Sequence, residues 1–181
     1  YRCGWFGKWH LNLEKDVTDF GFEGYGPAHY AYPFASDEYA DYLARKGLPD
    51  PVARIELPGE SGTPAGTVIN LRDQSDWFDY EAGTAILTTP VETHEAYFVA
   101  DIAEQWLRNL EDGPFFCRVD TWGPHPPYLV GAPFDDMFAD LSTAASGNLG
   151  HDLENRPDHH AAYRDYWRDT LVEGANDFSL L

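Results

Sequence analysis

Residues 93–120 constrain the fold more than any other part of this sequence. Ala96, Val99, Ala103, Trp106 and Leu110, with Ala100 and Leu107 beside them, recur at the spacing of one helical face. The spacing predicts an amphipathic helix over 96–110, closed by Gly113-Pro114. Residues 115–120, Phe-Phe-Cys-Arg-Val-Asp, then have the length and composition of a buried strand. A helix that runs straight into a buried strand is the grammar of an α/β sheet, where ligands bind beyond the carboxyl ends of the strands. The segment beyond this strand, residues 121–128, is therefore where chemistry is expected first.

The other elements are fainter. Residues 1–13 predict a buried strand running into a loop. Residues 19–34, dense in glycine and aromatics, predict irregular structure. Tyr39, Tyr42 and Leu43 share a helical face over 37–46, with Gly47 as the C-terminal stop. Residues 48–90 are rich in Pro, Gly and Asp and predict a long surface excursion, with at most a short hairpin. Helical spacing returns over 159–172. The chain opens Tyr1-Arg2-Cys3 without Met and reads as the interior of a longer protein, so localisation is left open.

Charge limits the function classes. Against 31 acidic side chains there are 12 basic ones, a formal net charge of −19. Such a surface repels phosphate backbones and anionic lipid, which argues against a nucleic-acid partner. No apolar run approaches the ~20 residues of a membrane-spanning helix. Two cysteines, Cys3 and Cys117, are too few for a disulfide scaffold; Cys117, within an apolar run, is expected as a small buried residue.

Two short segments carry candidate chemistry. In Gly7-Lys8-Trp9-His10-Leu11, an extended backbone would put Lys8 and His10 on one face and Trp9 on the other. Their Cα atoms would lie about 6.6 Å apart, close enough for two donors to grip neighbouring oxygens of one tetrahedral anion. The plain alternative is a surface lysine beside a packed histidine. In Pro124-His125-Pro126-Pro127, prolines stiffen the loop without needing ladder partners, and His125 suits proton transfer near neutrality. The alternative there is a rigid turn whose histidine only caps. His94-Glu95 lacks the second histidine of a zinc-protease helix, because Phe98 stands in its place. His151, His159 and His160 form a loose group with no supporting carboxylate or cysteine spacing.

Taken in order, these pieces resemble the sulfatase family. The run ending Gly-Lys-Trp-His-Leu at residue 11 resembles a sulfatase signature, with Asn12 where that family usually has Gly. Residues 21–26 (Gly-Phe-Glu-Gly-Tyr-Gly) resemble its usual continuation. The helix before residue 110, Pro114-Phe115-Phe116 and residues 122–128 resemble its helix, strand and histidine loop. Residues 133–138 and Arg156-Pro157 have counterparts too, so the likeness covers most of residues 1–172, with 48–90 too variable to contribute.

The resemblance implies an incomplete α/β fold: part of an alkaline-phosphatase-like sandwich, a mixed sheet flanked by helices, across 1–181. It implies a sulfuric ester hydrolase acting on a sulfated small molecule or glycan through a formylglycine nucleophile and a divalent metal, usually calcium. By position, Lys8 would contact the sulfate and the nucleophile's oxygens, His10 would assist proton removal as sulfate leaves, and His125 would hydrogen-bond the sulfate or bridging oxygen and help protonate the leaving group. Neither Cys3 nor Cys117 stands in the Cys-x-Pro/Ala-x-Arg context of formylglycine, and the family's metal-binding acidic pairs and second active-site lysine are not visible. No metal ligand is therefore assigned in this chain, which alone is expected neither to hold calcium tightly nor to turn over sulfate esters. A phosphonate or phosphodiester hydrolase of the same superfamily, and a non-catalytic module binding anions or sulfated glycans, are the alternatives.

Overall fold

A computed structural model describes residues 1–57, 63–73, 83–139 and 153–170, with side chains in the last stretch described to Tyr166. These described residues are mixed α/β, with two sheets and three α-helices. The chain forms two compact units, Tyr1–Asp136 and Met137–Leu181. The second contributes helix α3 (Asp158–Thr170), which matches the helical spacing seen there in the sequence.

The first unit begins with β1 (Arg2–Gly7), whose residues Gly4 to Gly7 are all buried. It lies between β2 (Glu23–Tyr25) and β6 (Phe115–Asp120), parallel to both. The β1–β6 register runs unbroken from Arg2↔Phe115 to Gly7↔Asp120, and Lys8 N–H continues it by donating to Asp120 O at 2.8 Å. Gly7 is obligatory in this geometry. Its φ is +108°, and a Cβ there would lie 1.8 Å from Asp120 O.

Helix α2 (Glu95–Arg108) packs on β1 and β6, with Phe98, Val99 and Ala103 buried. The buried face is rotated from the predicted stripe. Phe98 and Glu95 face inward while Ala100 and Leu107 are exposed, because the larger apolar side chain removes more surface from water than alanine does. Helix α1 (Asp37–Lys46) forms where predicted. Ser36 Oγ caps it by accepting from Tyr39 N–H, and Gly47 closes it in the left-handed conformation. Its buried tyrosines tie it to the approach to α2: Tyr39 OH donates to Thr93 O and Tyr42 OH donates to Glu92 O. Burial pushes the Tyr42 hydroxyl up to about 12 and Tyr39 further still, so both remain donors.

Two expectations are corrected. Residues 48–90 do contain a hairpin, but alternate residues of its described strands enter the core, so the stretch is not a surface excursion throughout. Strands β3 (Val52–Leu57), β4 (Val68–Asn70) and β5 (Thr84–Leu87) join β7 (Tyr128–Gly131) in a second sheet of order β4-β3-β5-β7. Ala53, Ile55, Ile69, Leu71, Ala85 and Leu87 enter the same apolar cluster as Phe6, Phe98 and Trp122, since period-two alternation aims every second side chain at that core. Strand β6, expected to be buried, ends the order of its sheet. Phe115, Phe116 and Val119 are about half exposed and Cys117 only partly buried. The irregular stretch 19–34 also holds a short strand, β2, whose three residues are too few to show a period.

The Gly7 geometry generates a direct test. Gly7→Ala should cost more than ~3 kcal/mol, because a Cβ can be relieved only by parting β1 from β6. Urea denaturation monitored by tryptophan fluorescence reads this; a midpoint within error of the native chain contradicts it.

Candidate functional site

The β1–β6 ladder brings two loops out of one edge of the parallel sheet. The first starts at Lys8 and the second at Thr121, immediately after the pair Gly7↔Asp120. Along the first loop, burial alternates as an extended backbone demands: Trp9 is buried, Lys8 half-buried and His10 exposed. Trp9 is anchored behind the loop by donating Nε1–H to Lys15 O at 2.9 Å, in a cluster with Trp5 and Val17. Trp5 Nε1–H reaches Lys8 O at 3.3 Å. Lys8 is therefore held by its backbone on both sides. Burial pushes its ammonium below the usual lysine pKa, as loss of water makes the charge costlier.

His10 and the His125 loop share a scaffold of aromatic rings. The His10 ring packs on Tyr30, centroids 4.1 Å apart. Tyr30 O accepts from Trp122 Nε1–H at 3.3 Å, and the buried Trp122 ring stacks on Tyr32 at 5.6 Å. Tyr32 OH in turn reaches Pro126 O at 3.4 Å. His29 and Tyr30 both adopt positive φ, 60° and 57°, unusual for residues with a Cβ. His125 is exposed, its backbone N–H donating to Trp122 O at 3.1 Å and its Nδ1 in contact with Pro126 O. Lys8, His10 and His125 thus stem from neighbouring loops at one end of the sheet. A pocket of about 220 Å³ beside this edge takes His125 into its wall, together with Tyr32, Phe34 and Leu129, but neither Lys8 nor His10.

The pocket gives a different part to the pair His94-Glu95, which the sequence set only against a metal motif. His94 is the N-cap of α2, its Nδ1 accepting from Ala96 N–H at 3.1 Å and its Nε2 meeting Leu129 O at 3.1 Å. Glu95 is 3% exposed, and its Oε1 accepts from Gly123 N–H at 3.3 Å, tying α2 to the His125 loop. Both residues line the pocket. Nδ1 of His94 lies 3.5 Å from Glu95 Oε2, an ion contact rather than a hydrogen bond. Nδ1 can accept the Ala96 proton only when unprotonated, and can donate toward Glu95 only when protonated. Burial disfavours the imidazolium, but the adjacent carboxylate and the Leu129 carbonyl outweigh it, and the His94 pKa is raised. The signal in the sequence was a polar residue directly before an apolar-periodic helix with an acid in its first turn.

Cys3 and Cys117 are free thiols on the paired strands β1 and β6, and partial burial raises the Cys117 pKa. His159 and His160 are neighbours with centroids 4.6 Å apart, while His151 lies outside the described residues. Among the described residues no group of three or more His, Cys, Asp or Glu side chains could hold a metal. The calcium donors that the resemblance implies are therefore not found among the described residues. No described helix is long and apolar enough to cross a membrane.

The chain matches no protein-family model, and no curated protein or solved structure shows significant similarity to it.

A raised histidine pKa contributes stability that is full below the unfolded value, near 6.5, and is lost as pH rises through the folded value. The urea midpoint of the native chain should therefore fall between pH 6 and pH 8.5. His94→Asn keeps a good N-cap but cannot titrate, so it should flatten that slope. An equal slope in both proteins contradicts the pairing.

Proposed function

We propose that this chain carries the oxyanion-gripping part of a sulfatase-type hydrolase acting on a sulfated small molecule or glycan. The observation that carries this reading is the shared edge. Lys8 N–H bonds Asp120 O where β1 and β6 end together, and the loops bearing Lys8, His10 and His125 leave from that point. Parallel sheets bind ligands beyond the carboxyl ends of their strands. The family likeness of residues 7–11 and 122–128 suggests an alkaline-phosphatase-like architecture around them.

In this reading each side chain acts on charge that moves during cleavage of the ester. The half-buried Lys8 ammonium, short of water, gains by contact with sulfate oxygens and offsets the negative charge that develops there. His125, exposed on its proline-stiffened loop, hydrogen-bonds the sulfate or bridging oxygen and delivers a proton to the departing alcohol. His10, backed by Tyr30, receives a proton as sulfate is released from the nucleophile. The formylglycine nucleophile of the family would supply attack on sulfur; a divalent metal would find no ligand group among the described residues. Neither Cys3 nor Cys117 has the sequence context for the first.

Binding separates this reading from a fortuitous arrangement. Sulfate titrated into the isotope-labelled chain at low ionic strength should shift the imidazole resonances of His10 and His125 along one saturation curve. Lys8→Ala should weaken that curve about tenfold, the effect of losing one charge-assisted hydrogen bond. Two independent curves, or a Lys8→Ala variant that binds as the native chain does, contradict a common site.

A further inference from the structure

Glu95 is the only charged side chain that is fully buried among the described residues. One of its oxygens is only half provided for, by the 3.3 Å bond from Gly123 N–H, and the other accepts no hydrogen bond among the described residues. His94 Nδ1 lies 3.5 Å from that second oxygen and pairs with it only when the imidazole is protonated; in the neutral ring it accepts from Ala96 N–H instead, and the oxygen is left without a donor. A carboxylate removed from water without donors is costly, and native interiors rarely keep one without a use.

Glu95 lines the 220 Å³ cavity, whose other walls include Tyr32, Phe34, Leu129 and Val130 with the imidazoles of His94 and His125. An apolar cavity of roughly 150 Å³ is enough to hold benzene, so a ring with a short substituent fits this one. Any occupant must suit both the carbon-rich wall and the underbonded carboxylate. An anion would be repelled by Glu95. A neutral hydrocarbon would leave its oxygen orphaned. A bare metal ion would find one carboxylate and the imidazoles of His94 and His125 in the wall, but no group of three such donors placed to hold it among the described residues.

We propose that this cavity is a binding site for a primary ammonium group on a compact apolar skeleton, its N–H donors completing Glu95 and its skeleton lying against the aromatic wall. The rings add the attraction of π-faces for a cation. The net charge of −19 raises the local concentration of such ligands. This site shares His125 with the sulfate reading, but Lys8 and His10 do not line it.

Three probes that share a ring but differ in charge test it: benzylammonium, benzyl alcohol and benzoate, followed by calorimetry at low ionic strength. The native chain should bind benzylammonium at least ~10-fold more tightly than benzyl alcohol, the ratio expected of a charge-assisted hydrogen bond, and should not bind benzoate. Glu95→Gln, which preserves shape, should erase the preference for ammonium over alcohol. Val130→Phe, which fills the cavity without touching the carboxylate, should abolish benzylammonium binding and serves where Glu95→Gln does not fold. Equal binding of the three probes, no benzylammonium binding by the folded native chain, or binding that survives Val130→Phe would overturn the proposal. None of these readouts involves sulfate, so the two proposals can fail separately.

Discussion

The parallel ladder between β1 and β6 is the constraint on which the rest of this structure depends. Six residue pairs lock strands from opposite ends of the first unit, and the ladder stays in register to its last pair. Because both strands end together, the two loops with the most distinctive residues start side by side. A glycine at the end of β1 makes this possible, since the carbonyl of Asp120 occupies the space of any larger side chain. A slip of one residue would reverse which side chains face α2 and would carry Lys8 away from Asp120.

Around that ladder, the edge combines a rigid backbone with exposed functional groups. Lys8 is fixed through its own amide and carbonyl, so its long side chain departs from a defined point. The histidines are set by aromatic packing: His10 against Tyr30, and the His125 loop through Trp122 and Tyr32. Electrostatically the neighbourhood is divided. Lys8 leaves the ends of the ladder, whereas the cavity beside His125 has Glu95 in its wall and is suited to the opposite charge.

Much of the fold was legible because certain segments carry strong local signals. Helices α1 and α2 announced themselves through apolar spacing and through Gly47 and Gly113-Pro114 as stops; strand β6 did so through its apolar run. The second sheet was not legible. Its strands are short, and the alternation of Ala53 and Ile55 with Arg54 and Glu56 sits among prolines and glycines that read as loop. The exposed face of β6 was missed because apolar composition reports what a strand prefers to bury, not what covers it. At the candidate site, Lys8, His10 and His125 stood out by residue type and spacing. The pair His94-Glu95 was weighed only against a metal motif, and its significance lies in burial and in the bond to Gly123, neither of which one sequence displays.

The claim that matters most is that Lys8, His10 and His125 converge on a single tetrahedral oxyanion. Crystals of the chain soaked in selenate, with anomalous scattering recorded at the selenium edge, test it without reference to turnover. The account predicts one selenium peak within hydrogen-bonding reach of Lys8 Nζ and of both imidazoles. Selenate bound by only one of the three, or absent from this edge while occupying other positive surface, would contradict it.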